Sequence, residues 1–302
     1  MDEKYKQPIR MIPPTKVIVQ VQILAALQNY NHGLCNVPKM WEATRGEGVK
    51  VAILDTGISK HNDLDPDEIF SMCDADGIDK AGHGTHVAGL LAGIGCNDMG
   101  VLGIAPDVAL NPIKVLGDDG SGTVEAVMAG IRYAVDVVGA QVINMSLGIH
   151  SQDTFKELEK VCNYAAENGC VICSASGNEG SFVDQPAQYE SVLAIASVNN
   201  KQEHSSFSNF GDEVDFAAGG SKLYSTYLHN SYAILSGTSM ASPIIAGIAS
   251  LIISDALLKE KKLTFDEVKE KIKKISLDLG EEGFDPVFGW GMPVFKSAKE
   301  KV

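Results

Sequence analysis

The sequence predicts an α/β fold, a single domain of three layers in which a central, mostly parallel sheet is flanked by helices. Three observations predict it. From about residue 48, short apolar runs rich in Val, Ile and Leu alternate with longer segments of helical pattern. The short runs are apolar at nearly every position, as strands buried on both faces are. A chain of 302 residues, 45% hydrophobic, can bury one large core, and no repeat or low-complexity linker divides it.

Taken in order, residues 1–20 are an N-terminal extension, containing PIRMIPP, and residues 21–302 form the domain. VKVAILD is the first core strand and ends at Asp55. THVAGLLAGI is a helix, VALNPIKVL a strand, and VEAVMAGIRYAVDVV a helix. QVINMSL is a strand running to Ser146, TFKELEKVCNYAAEN a helix, and CVICSAS a strand that leads into Asn178; SVLAIAS follows as a further strand. SGTSMASP, residues 236–243, opens the apolar run IIAGIASLIISDALL, a buried helix, with Pro243 expected in its first turn, where a missing N–H costs little. TFDEVKEKIKKI is an amphipathic helix whose lysines face solvent, and FGWG is a closing turn.

A formal net charge of −14 excludes a phosphate-tracking surface and so a nucleic-acid partner. MDEKYKQPIRMIPPTK has no apolar core of the secretory kind, and no later stretch is read as a membrane helix; the expectation is a soluble, cytoplasmic protein without a membrane partner. The six cysteines lack framework spacing, which suits a reducing compartment. Cys170 and Cys173 form a CxxC, but on a strand positions three apart point to opposite faces, so the pair is read as core. A dinucleotide-binding sheet would need GxGxxG after the first strand, where DTGISK stands.

In a parallel sheet, chemistry gathers beyond the carboxyl ends of the strands, which singles out Asp55, Ser146 and Asn178. His83 and His86 in AGHGTHVAG lack the i, i+4 spacing of a zinc helix. A serine hydroxyl becomes a nucleophile only beside a base, and the base needs a carboxylate to fix its tautomer. Asp55, His86 and Ser239 occur in an order that can supply all three, with Asn178 on a glycine-flanked loop between them.

DTG at 55–57, GHGTHVAG at 82–89, SLG at 146–148, GNEG at 177–180 and GTSMASP at 237–243 closely resemble the motifs of the subtilisin-like serine proteases, in order, over Pro38 to about Met292. The resemblance implies an endopeptidase with the triad Asp55, His86 and Ser239 and with Asn178 in the oxyanion hole. It implies that Gly120, Ser121 and Gly122, and Ser146, Leu147 and Gly148, are two edges holding an extended peptide through its backbone, with broad specificity, and that Glu179 lies at the first specificity pocket, where an acidic rim would favour a basic side chain. GCNDMGVLGIAP is similar to the family's calcium loop, which makes Asp63, Gly95, Asn97, Met99 and Val101 the expected ligands of a structural calcium.

The start of the chain resembles the short extension of the bacterial intracellular subtilisins. Met11, Ile12, Pro13 and Pro14 stand where that group has a Leu-Ile-Pro-Tyr type motif, and the expectation is a zymogen blocked by this segment and activated by cleavage near Thr15 to Gln20. Proline there fixes φ and can bend the chain away from the nucleophile. Expected partners are protein and peptide substrates, and the resemblance admits a homodimer. The alternatives are a dedicated processing protease and a catalytically silent regulatory relative.

Overall fold

The computed structural model describes residues 9–11, 26–73, 76–95 and 100–296. The parallel sheet is present, with seven strands in the spatial order Val214–Gly219, Val192–Val198, Val171–Ala175, Val142–Met145, Lys50–Asp55, Ala109–Lys114 and Phe70–Ser71. Every neighbouring pair in it is parallel. The chain builds outward from Lys50–Asp55 first to one side and then to the other, so the strand order reverses there. The carboxyl end of that strand is therefore a natural crevice, and it delivers Asp55.

The two-residue period of the strands divides the core. Val51 and Ile53 join one apolar cluster with Ile244 and Ile248, while Ala52 and Leu54 join a second with Val127, Ile131 and Leu158. Helices Val124–Tyr133 and Lys156–Glu167 cover the second face. Helices His83–Ala92 and Thr238–Leu257 belong to the first. Each fully buried Val, Leu or Ile contributes about 1.5–3 kcal/mol, and burial on both sides is why these strands read as continuous apolar runs.

Two expectations need correction here. Thr238–Leu257 is long and apolar enough, by length and composition, to cross a membrane; 89% of its apolar window is buried within the domain, against the sheet and the His83–Ala92 helix. Pro243 is the sixth residue of that helix, beyond its first turn. A proline at this depth removes the N–H that would bond the carbonyl four residues back, which is the carbonyl of Ser239. The Ser146 hydroxyl fills that role, donating to Ser239 O at 2.8 Å. The missing amide thus ties the start of the helix to the end of a sheet strand.

The described cysteines, Cys35, Cys73, Cys162, Cys170 and Cys173, are all free thiols. Cys170 and Cys173 are buried in the core, and burial pushes both thiols far above their ordinary range, so they act as small apolar groups.

Candidate active site

Asp55 ends its strand with the side chain fully buried, and the turn that follows brings helix His83–Ala92 against it. The approach is close enough that a Cβ on Gly84 would lie 2.2 Å from the carbonyl oxygen of Gly57. His83, the first residue of the helix, donates from Nδ1 to Asp55 Oδ1 at 2.8 Å. Asp55 Oδ1 also accepts from Thr56 N at 2.7 Å. Burial opposes a charge on His83, but the Asp55 carboxylate, with Asp79 behind it, outweighs burial and raises the imidazole above its ordinary 6.5. With Nδ1 donating to a carboxylate, Nε2 of the neutral ring carries the lone pair; that atom is buried with no hydrogen-bond partner among the described residues.

The expected base, His86, is not in this arrangement. Its Nε2 donates to two carbonyls, Leu223 O at 3.2 Å and Ala233 O at 3.1 Å, on the antiparallel hairpin formed by Leu223–Tyr227 and Ser231–Leu235. Burial lowers it to about 3, so it is neutral and structural. The partner of Asp55 is the first histidine of the motif.

Ser239 is the second residue of the long helix. Its Oγ donates to Ser146 O at 3.3 Å, which places the hydroxyl at the end of the Val142–Met145 strand. Asn178, on the loop after Val171–Ala175, accepts at Oδ1 from Thr238 N at 2.9 Å and from Thr238 Oγ1 at 3.0 Å. Two donors on Oδ1 fix which way the amide turns at the N-terminus of the helix that carries Ser239. The structure thus gathers Asp55, His83, Ser239 and Asn178 around the carboxyl ends of three adjacent strands.

Two organising residues escape sequence reasoning. The buried Asp79 accepts at Oδ1 from Gly82 N at 2.8 Å and at Oδ2 from Thr85 N at 2.9 Å, holding the otherwise unsatisfied amides at the start of the His83 helix. Lys114, fully buried, donates from Nζ to Thr56 O and to Asp118 Oδ1, both at 2.9 Å, and so joins the DTG turn to the acidic loop 117–122. An Asp before a helix start was a usable signal for the first; nothing local marks the second.

The two expected edges face one another with a strand between them. Ile9–Met11 pairs antiparallel with Ser121–Gly122 on one side and with Leu147–Gly148 on the other. Ile9 lies opposite Gly122, Arg10 opposite both Ser121 and Gly148, and Met11 opposite Leu147; Met11 N donates to Gly120 O at 2.8 Å. Ile9 is fully buried. Of the expected blocking residues, Met11 is thus in the groove, while Ile12, Pro13 and Pro14 lie outside the described residues. Ile9 and Arg10 were not singled out from sequence.

Glu179 follows Asn178 and belongs to a polar cluster that the sequence does not reveal. His150 Nδ1 donates to Asp184 Oδ1 at 2.7 Å and lies 3.7 Å from Glu179 Oε2. Asn209 Nδ2 donates to Glu179 Oε2 at 3.0 Å and to Asp184 Oδ1 at 3.3 Å. Burial pushes Asp184 up to about 7, against the hydrogen bond from His150.

Of the expected calcium ligands, Asp63, Gly95 and Val101 meet at one loop, and Asn97 and Met99 lie outside the described residues. Asp63 is buried, and its Oδ2 accepts from Val101 N at 2.7 Å and from Tyr232 Oη at 2.8 Å. A Cβ on Gly100 would lie 2.0 Å from Oδ2, so only glycine lets this backbone close over the carboxylate. Gly95 N donates to Val101 O at 3.0 Å, closing the loop on itself. A buried carboxylate beneath a tightly turned backbone loop is an oxygen donor of the kind that fits a hard divalent cation.

Residues 46–291 match the profile of the subtilase family of peptidases. Among curated relatives, subtilisin DY of Bacillus licheniformis is 42% identical over 245 residues, 78% of this chain and 86% of the relative. Thermitase of Thermoactinomyces vulgaris is 41% identical over 233 residues, 75% of this chain and 82% of the relative. A family match over most of the chain, on a seven-stranded parallel sheet that brings an Asp, a His, a Ser and an Asn together, places this protein among the subtilases, and the chain belongs to that family of serine endopeptidases.

Proposed function

We propose that the chain is an intracellular serine endopeptidase, made as a zymogen, that cuts peptide bonds with Ser239 as nucleophile, His83 as general base and Asp55 as the group that orients and charges His83. The hydroxyl proton passes from Ser239 Oγ to His83 Nε2 as Oγ attacks the scissile carbonyl, and His83 returns it to the leaving amine. The Nδ2 amide of Asn178 and the backbone N–H of Ser239 donate to the developing oxyanion, helped by the helix N-terminus. The Asn178→Ala variant should lose about 10²–10³ in kcat with little change in KM, a range that rests on a subtilisin; steady-state kinetics on one peptide checks it.

The single observation that carries the zymogen reading is the Ile9–Met11 strand lying between the two edges. A substrate held in the same register has one residue opposite Gly148, the next opposite Leu147 and the next opposite Ser146, beside the Ser239 hydroxyl. Backbone pairing itself reads no side chain, which supports broad specificity at the residues opposite Gly148 and Leu147. Free thiols throughout the described cysteines support a reducing, intracellular setting.

A structural calcium would be held by Asp63, Gly95 and Val101, with Asn97 and Met99 as the remaining expected ligands, and would supply the positive charge that balances the Asp63 carboxylate. A ligand at 100 times its Kd stabilises by about 2.7 kcal/mol, so chelation should lower Tm by about 5 °C or more in a domain of this size. Differential scanning calorimetry on the Asp63→Asn variant should show no such dependence.

The deciding experiment incubates the full-length chain with casein and calcium beside its Ser239→Ala variant, following hydrolysis and N-terminal mass together. Hydrolysis that starts as the N-terminal segment is lost, and only with Ser239, is the expected result. A chain that is inert with its N-terminus intact, and stays inert once that segment is trimmed off, would point to a silent relative.

A further inference from the structure

Resting on the protease reading, we infer that His150, Glu179, Asp184 and Asn209 form a built-in site for a cationic side chain, so that this enzyme cuts after lysine and arginine. The place follows from the register. The residue whose carbonyl meets Ser239 is the one opposite Ser146, and the chain continues from there through Gly148 to His150. Opposite runs the loop from Gly177 to Asp184, beginning beside Asn178. The two segments are stitched together, with Ile149 N donating to Gln185 O at 2.8 Å and Gln185 N to Ile149 O at 3.1 Å. A Cβ on Gly148 would lie 3.1 Å from Asp184 Oδ2, so the Asp184 carboxylate lies directly behind the edge that a substrate pairs with. The side chain preceding the cut enters between these walls.

The chemistry of the walls selects what enters. The Asp184 side chain is 3% exposed, while those of His150 and Glu179 are each 37% exposed. Two carboxylates thus face one imidazole, and the inner one is cut off from water. Asn209 Nδ2 donates to both, which fixes their directions, and Phe182 stacks on His150 at 4.1 Å between ring centroids. A buried carboxylate is costly until a cation arrives, so an ammonium or guanidinium gains here what an apolar side chain cannot. The group also brings three potential ligand atoms within 4.8 Å of one another, but His150 Nδ1 presents its proton to Asp184, and a metal would need its lone pair. The net charge of −14 attracts cationic substrates in general.

Two consequences are specific. The charged groups facing Asp184 among the described residues are His150 and Glu179, and burial moves its titration to about pH 7. Below that the carboxyl is protonated and neutral, so the preference for Lys and Arg should strengthen as pH rises from 6 to 8. The region expected to be cut on activation, Thr15 to Gln20, contains one basic residue, Lys16. Cleavage after it leaves Val17 as the new N-terminus.

The test digests unfolded casein with the full-length chain at pH 6 and pH 8 and maps every cut by mass spectrometry, beside the Asp184→Asn variant. Expected are at least tenfold enrichment of Lys and Arg before the cut at pH 8, a smaller enrichment at pH 6, a fall of at least tenfold in the ratio of basic to Leu and Phe sites in Asp184→Asn, and a chain beginning at Val17. Cuts without basic bias, or a bias that Asp184→Asn leaves intact, overturn the inference while the protease reading stands. If the full-length chain is inert, the Ile9→Asp variant, whose groove is opened, is digested in the same way; inertness there too defeats the protease reading and this inference with it.

Discussion

Replacing His83 by alanine is expected to lower kcat/KM by about 10⁴–10⁶-fold, the loss that follows removal of a triad base, for which subtilisins themselves are the reference case. Asp55 Oδ1 holds His83 Nδ1 at 2.8 Å; without the ring, no group among the described residues stands ready to take the proton from Ser239. The acid limb of kcat/KM adds a second readout. His83 must be neutral to act as a base, and its partner Asp55 raises it above 6.5, so activity should fall off on the acid side above that pH. The matching variant at the other histidine should behave differently. His86→Ala leaves the carbonyls of Leu223 and Ala233 without their donor and opens a cavity, a loss of about 2–4 kcal/mol of stability, while the folded fraction keeps its turnover within about tenfold, since no reacting group is touched. Chemical denaturation and active-site titration separate the two effects. Equal turnover losses in His83→Ala and His86→Ala would contradict the assignment.

The second large effect should appear at Ile9. Its side chain is fully buried among apolar groups that include Leu116, Leu147 and Ile149. Removing an isoleucine from such a site forfeits about 1.5–3 kcal/mol, and putting a carboxylate there costs more unless the strand leaves. A loss of about 3 kcal/mol shifts the occupancy of the groove by roughly 150-fold. The full-length Ile9→Asp variant should therefore hydrolyse a small peptide at least tenfold faster than the parent from the first seconds of the assay, and without the lag expected of the parent while its N-terminus is trimmed. Unchanged initial rates, with the same lag, would mean that the strand between the edges does not restrain the enzyme.

The sheet was legible because its strands are buried on both faces: VKVAILD is apolar from Val51 to Leu54 and ends at Asp55, while CVICSAS, broken only by small serines, leads into the loop of Asn178. The edges were legible only through the family resemblance, since GDDGSG by itself reads as an acidic turn. The choice between His83 and His86 was not. The two stand three apart on one helix and fall on neighbouring positions of its surface, and what separates them is that Asp55 ends its strand beneath the first turn while a hairpin from residues 223–235 covers the second. That is a fact of packing between segments far apart in sequence. The same holds for Asp184 and His150, which meet across a separation of 34 residues, and for Lys114, whose partners lie in the DTG turn and the 117–122 loop. Ile9–Met11 is too short to carry a periodic signal, and its register belongs to the edges that hold it.

In the proposed zymogen, the strand in the groove also decides how activation ends. Because Ile9–Met11 is joined to the domain through the stretch before Ala26, it would compete with substrates at the effective concentration of a short tether, on the order of millimolar, however dilute the enzyme. Once the stretch is cut, the same segment competes only at its total concentration in solution, lower by orders of magnitude. A contact of modest affinity can then hold the enzyme closed before the cut and fail to hold it afterwards, so that a single hydrolysis, by dilution alone, turns a reversible block into a commitment.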